Sequence, residues 1–127
     1  MSIWEDYMNY KKEVISMLAD LLGVEEDIIT LDSKLVDDLG AESIDFIDIC
    51  YQFEKAFHLP KVMLSDIYID GYSKLQYSDG TIALLNDNYE YLRRDMIQRM
   101  KKEQSLDAMK TVRCLVEFIN WRMKHAN

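Results

Sequence analysis

Ser43 is the residue in this chain best placed to do chemistry. Leu39-Gly40-Ala41-Glu42 precedes it and Ile44-Asp45-Phe46-Ile47-Asp48 follows, so a turn signal, a hydroxyl and several carboxylates share one short stretch. A serine nucleophile needs a base within hydrogen-bond reach and a third group to orient that base. The stretch lacks the second glycine of a G-x-S-x-G elbow. Its neighbouring carboxylates are ionised and weak bases, and His58 lies roughly 22 Å further along the same helical run. The other use of a serine is as an anchor. Gly40 ends a turn and an amphipathic run to Phe57 begins at about Ser43, which puts the hydroxyl at a helix mouth. Unpaired amides and the positive dipole end favour a phosphate bonded there.

Metal chemistry finds no comparable pattern. Asp37-Asp38 lacks the D-x-D-x-D-G spacing of a calcium loop, and His58 and His125 have no ligand spacing around them. Cys50 and Cys114 fall inside helical apolar patterns and are expected as buried, reduced thiols.

The elements that position Ser43 follow from periodicity. Ser2 caps a first helix over Ile3 to about Leu22, and Gly23 is its stop signal. Val24 to Leu39 reads as a long ordered loop held by isolated apolar residues (Ile28, Ile29, Leu31, Leu35, Val36, Leu39) tucked into the core. The second helix carries more apolar residues than one face can bury. Ile49, Cys50, Phe53 and Phe57 are assigned to the core. Ile44, Ile47 and Tyr51 then fall on another face, interleaved with Asp45, Asp48 and Glu54. Such a stripe is either a partner surface or a face that the rest of the chain covers.

Pro60 closes this block. Beyond it, Ser78-Asp79-Gly80 predicts a small hairpin over Lys74 to Leu85. A helix capped by Asn86, Asp87 or Asn88 runs to about Glu103, with Tyr89, Leu92, Met96 and Met100 inward. It also carries Arg93, Arg94, Arg99, Lys101 and Lys102, which read as a solvated face or as a docking face for an acidic partner or a phosphate. A turn over Ser105 to Met109 leads to a last helix, capped by Thr111 and running to about Lys124. Val112, Leu115, Val116, Ile119 and Met123 face inward along it. The expectation is an all-α bundle, one domain over 1–127 with an insertion at 61–104.

Composition narrows the partners. The chain has 127 residues, 49% hydrophobic and 30% charged, with a net charge of −8. Residues 1–60 hold 4 Lys/Arg against 14 Asp/Glu, whereas the remainder holds 11 against 9. The acidic front half argues against nucleic acid and anionic membranes and suits partners with basic faces. No apolar run approaches a membrane span. Ser2 to Asp6 lacks the regions of a signal peptide, so the cytoplasm is the expected location.

Leu39-Gly40-Ala41-Glu42-Ser43-Ile44-Asp45, followed by a mixed acidic and apolar helix, resembles the acyl carrier proteins, whose attachment motif is Asp-Ser-Leu after a Leu-Gly-Ala turn. Leu22-Gly23-Val24, Asp32-Ser33-Lys34-Leu35-Val36-Asp37-Asp38, Phe57-His58-Leu59-Pro60 and Thr111-Val112 extend the likeness over 3–60 and about 105–124. The resemblance implies an acyl-carrier-like helical bundle that catalyses nothing itself. A phosphopantetheinyl transferase would attach 4′-phosphopantetheine to Ser43, and acyl groups would ride on it as thioesters. The partners it implies are acyl-transfer and fatty-acid or lipid biosynthetic enzymes, met by a monomer. Their docking residues would be Glu42, Ile44, Asp45, Ile47, Asp48, Tyr51 and Glu54.

Three departures qualify the likeness. Glu42 stands where the family has Asp, and Ile44 where it has Leu. From Pro60 to Thr111 there are 51 positions, far more than carriers of ordinary size use. That length resembles the specialised carriers of unusually long acyl chains, including those serving lipid A acylation. The insertion would then widen the acyl cavity, or form a lid or docking arm over an ordinary one. Two alternatives stand beside the carrier reading: an unloaded interaction module, and an aminoacyl or peptidyl carrier. Ala41-Glu42 and the acidic front half count against the last.

Overall fold

A computed structural model describes residues 2–125. Six α-helices make up the all-α fold that the sequence predicts: α1 (Ile3–Leu22), α2 (Ser43–Ala56), α3 (Leu64–Ile67), α4 (Asp79–Asn88), α5 (Met96–Glu103) and α6 (Val112–His125). Short 3-10 turns join them. The expected domain span of 1–127 also takes in Met1, Ala126 and Asn127, which lie outside the described residues.

α1 begins and ends where its signals place it. The Glu5 amide donates to Ser2 Oγ at 3.1 Å. Gly23 takes the left-handed conformation at φ 68°, and its amide closes on the Ala19 carbonyl. Val14, Leu18 and Ala19 form the buried stripe. α6 is buried almost all round, from Cys114 through Asn120. It packs against α1 and against the 3-10 turn Glu90–Leu92 of the insertion, so it has little solvent face left. Phe53 of α2 stacks on Phe118 of α6 at 6.4 Å, and Tyr91 meets Phe118 edge-on at 5.4 Å. Burying each such ring contributes on the order of 2–3 kcal/mol.

The loop between α1 and α2 is stitched to the start of α6. Leu35 N–H donates to the Lys110 carbonyl, Val112 N–H to Ser33 and Arg113 N–H to Leu31. An isolated antiparallel bridge pairs Lys34 with Thr111. Ion pairs reinforce it: Asp32 with Arg99 at 2.9 Å and Arg113 at 3.3 Å, and Lys34 with Asp107 at 3.1 Å. Ile29, Leu35 and Leu39 are tucked into the core as expected. Ile28 and Val36 are not. Ile28 sits in the solvent-facing 3-10 turn Glu26–Ile28, and Val36 on the outside of the tight turn that Lys34 closes.

The insertion differs most from its reading. Among the described residues there is no strand, and the hairpin over Lys74–Leu85 is replaced by α4. Ser78 Oγ accepts the Thr81 amide at 3.0 Å, so the Ser-Asp-Gly turn signal works as a helix cap with Asp79 at the favourable N-terminal end. The continuous helix to Glu103 is broken as well. The chain turns at Glu90–Leu92 and α5 starts only at Met96, because Arg93 folds back onto the Asn86 and Asp87 carbonyls that end α4. Leu92, Met96 and Met100 are nonetheless buried as expected, whereas Tyr89 is only half-buried. Their burial, with Ile67, Tyr68, Ile82 and Leu85, places the insertion in the same apolar core as α1, α2 and α6.

Candidate functional site

The turn before Ser43 is built from backbone bonds. Asp38 and Leu39 amides donate to the Lys34 carbonyl, Gly40 to Val36 and Ala41 to Leu35, while Asp38 Oδ2 accepts the Lys34 amide at 2.8 Å. Gly40 takes φ 75°, a conformation that costs an L side chain about 1–2 kcal/mol. Leu39 and Ala41 are buried on either side of it, which fixes the direction in which the chain leaves the turn. Glu42 is then extended, and Ser43 is the first residue of α2. Asp45 Oδ2 accepts the Glu42 amide at 2.7 Å, tying the entry segment to the first helical turn.

Ser43 is exposed at this helix mouth. The first amides of a helix have no partner within it, so a phosphate ester on Ser43 would sit at the positive end of α2. A nucleophilic role has no support. α2 ends at Ala56, and His58 lies beyond that end, roughly 20 Å of helix from Ser43. The residues present therefore fit a phosphate-linked group on Ser43.

Ile44, Ile47 and Tyr51 are 64, 63 and 56% exposed and recur at helical spacing from the attachment end. Lys55 Nζ lies 5.3 Å above the Tyr51 ring. Glu42 and Asp48 are exposed alongside them. Asp45 and Glu54 are half-buried and have structural tasks: Asp45 holds the Glu42 amide, and Glu54 Oε2 accepts the Val62 amide at 2.8 Å. Ile49, Cys50, Phe53 and Phe57 occupy the opposite, buried face, as expected. Burial pushes the Cys50 thiol up to about 11 and the Cys114 thiol to about 12.

The basic run of the insertion is not a free docking face. Arg99 is spent on Asp32 and Glu103, Arg94 on Glu117 and Asp95, and Arg93 on backbone carbonyls. Lys101 and Lys102 are exposed.

Sequence reasoning left Phe46, Tyr68 and Tyr72 without a role. Phe46 lies one turn along α2 from Ser43 and is buried. Its ring meets Tyr68 at 5.7 Å and Tyr72 at 6.3 Å, both edge-on. With Val36, Lys34, Lys110 and Tyr72 it lines a pocket of about 150 Å³. Phe46 was findable, since it shares the helical spacing of Ile49, Cys50 and Phe53. Nothing in the irregular stretch around Tyr72 marked that ring. A larger groove of about 550 Å³ opens beside Trp4, Tyr7 and Glu117, but none of its lining residues belongs to α2 or to the turn before Ser43. Burial raises the Tyr7 phenol there to about 12, with the charge of Glu117 adding to the effect.

This geometry can be set beside known proteins. Residues 12–68 match the family model described as the phosphopantetheine attachment site. Three acyl carrier proteins are similar over the same region. That of Akkermansia muciniphila is 41% identical over 49 residues, that of Thermotoga maritima 44% over 45, and that of Syntrophobacter fumaroxidans 40% over 45. These alignments cover 35–39% of this chain and 56–61% of the relatives, so the chain spans somewhat over half the length of the curated relatives it matches. No solved structure matches. The resemblance to the acyl carrier proteins is borne out over this span, and the family model it matches is that of a phosphopantetheine attachment site. Most of the insertion lies outside the match.

Proposed function

We propose that this protein is an acyl carrier whose Ser43 bears the 4′-phosphopantetheine arm. The observation that carries the reading is the exposed hydroxyl at the mouth of α2, set there by the Gly40 turn inside the matched stretch. When bound, the arm supplies a terminal thiol that holds acyl groups as thioesters. The chain's own residues do the rest. The amides of the first turn of α2 hold the phosphate. Ile44, Ile47 and Tyr51 give partner enzymes an apolar contact, and Glu42, Asp45, Asp48 and Glu54 border it with negative charge. Partners of this chemistry carry basic faces: a phosphopantetheinyl transferase, then acyl-transfer and fatty-acid or lipid biosynthetic enzymes. No helix of the described residues is long and apolar enough to cross a membrane, and we place the carrier in the cytoplasm as a monomer. The insertion shares the apolar core, which supports one domain with a modified cargo wall over a detached docking arm. Unusual or long acyl chains, as in lipid A acylation, suit that wall.

The test is incubation with coenzyme A and a broad-specificity phosphopantetheinyl transferase. The intact mass should rise by one phosphopantetheine, and Ser43→Ala should abolish the rise. A folded wild-type protein that stays unmodified would favour an unloaded interaction module. An aminoacyl load on protein taken from its own host would favour the aminoacyl carrier.

A further inference from the structure

The groove of about 550 Å³ lies on helix faces that the attachment end does not use. Trp4, Met8 and Lys11 along α1, and Arg113, Glu117 and Asn120 along α6, are each spaced four and three apart, so each set shares one face. Ile3, Trp4, Met8 and Leu31 give the groove apolar surface, and Ile3 and Trp4 are 67 and 69% exposed. An indole left in water at the rim of a groove is area that a bound molecule would cover.

The polar groups of the groove are incompletely matched. Asn120 is only 4% exposed, and its Oδ1 has no hydrogen-bond partner. Arg113 gives Nη2 to Asp32 at 3.3 Å, an acid it shares with Arg99, while its buried Nε–H has no acceptor. Lys11 has no ion-pair partner among the described residues. The acids are already neutralised, since Arg94 pairs with Glu117 at 3.2 Å and with Asp95 at 3.3 Å. The groove therefore holds uncompensated positive charge in a chain of net charge −8. It also holds one donor and one acceptor whose desolvation is unrelieved.

We propose that this groove is a non-covalent binding site for a small organic acid with an apolar body and an amide N–H beside its carboxylate, the chemistry of an N-acylated apolar amino acid. Each part has a counterpart. The apolar body lies against Trp4, Ile3 and Met8. The carboxylate accepts from Lys11 Nζ and Arg113 Nε, and the N–H donates to Asn120 Oδ1. The volume suits it, since small-molecule pockets run to roughly 300–1,000 Å³. A neutral apolar molecule would leave Lys11 unmatched, and a plain fatty acid would leave Asn120 Oδ1 unpaired. The site is independent of the carrier reading, because none of its groups belongs to α2.

The test titrates the unloaded full chain with N-acetyl-L-phenylalanine and follows its amide and indole N–H shifts by NMR. Saturable shifts should centre on Trp4, Arg113 and Asn120. N-acetyl-L-phenylalaninamide, which lacks the carboxylate, should bind about tenfold more weakly. Phenylpropanoate, which lacks the N–H, should bind about fivefold more weakly, the scale of one neutral hydrogen bond. Lys11→Gln, at a partly exposed position, should weaken N-acetyl-L-phenylalanine about tenfold and leave the amide unchanged. The peptide Ala-Ala-Ala-Phe has the same terminal chemistry on a longer chain and should bind more weakly. Equal or tighter binding of the peptide would overturn the small-molecule assignment in favour of a protein's carboxyl end. Absence of saturable shifts, shifts centred on α2, equal affinity for the three small compounds, or equal weakening of all by Lys11→Gln would each overturn the site.

Discussion

At the residue scale, the site depends on one exposed hydroxyl and on the burial of every competing thiol. Cys50 and Cys114 are the two cysteines of the chain, both free and buried, with thiols pushed up to about 11 and about 12. Thiolate is the reactive form, so near pH 8 both are almost entirely protonated as well as shielded. Native apo-protein should react with a maleimide only as fast as it unfolds, and the loaded protein should take up one equivalent at once. Rapid labelling of native apo-protein would mean that the α2–α6 interface opens easily. The role of these cysteines was legible in the sequence because each sits at a helical core position. Tyr68 was not legible, since a tyrosine in an irregular stretch reads the same whether its hydroxyl meets water, a carbonyl or nothing.

At the element scale, the helix ends show what a sequence can declare. Ser2, Gly23 and the Gly40 turn act locally, through their own backbone angles and nearest amides, and the structure uses each as read. The insertion is decided by longer-range packing. Ser78-Asp79-Gly80 suits a hairpin turn or a helix cap, and the need to bury Ile82 and Leu85 on one face selects the cap. The exposed apolar stripe on α2 was legible because nine apolar residues exceed what one face can bury. Its prediction follows from exposure. Ile47→Glu should leave the melting temperature nearly unchanged, as exposed substitutions do, yet lower the transferase kcat/KM several-fold. An unchanged kcat/KM would remove Ile47 from the docking face.

The clasp that holds the loop against α6 makes a second prediction at this scale. The hydrogen bond from Arg99, helped by Arg113, holds the Asp32 carboxyl below the ordinary carboxylate range, and Lys34, helped by Lys110, does the same for Asp107. A carboxylate with a lowered folded pKa stabilises fully above its unfolded value, about pH 4, and that contribution is lost as pH falls through the folded value. Both pairs are largely solvated, so the effect is modest. Below about pH 4 the Leu35, Val112 and Arg113 amides should exchange faster while the α1 amides stay protected. Asp32→Asn should weaken this clasp at neutral pH and flatten its acid dependence. Uniform loss of protection across the chain would show that these pairs do not govern the loop.

At the scale of the whole molecule, the question is whether the insertion is an appendage or half of the core. Met96 is the place to test it, because it belongs to α5 and is completely buried in the cluster that also holds Phe53 and Ile49 of α2. Met96→Ala leaves a cavity and should cost about 2–4 kcal/mol. A chain of this size unfolds as one cooperative unit when its core is shared. The slowest-exchanging α2 amides, at Ile49, Cys50 and Phe53, should then lose protection by the same free energy as the whole protein loses in stability. An insertion that folds by itself would melt early and leave α2 protected. Shared loss carries a functional consequence. A cargo-laden arm could not gain room by swinging α4 and α5 aside, since that would unfold the helix that carries Ser43. Room would have to come from rearrangement around Tyr68 and Tyr72, where the chain is irregular and the packing is aromatic. Hydrogen exchange on Met96→Ala and wild type, read at α2 and α5 together, distinguishes the two architectures.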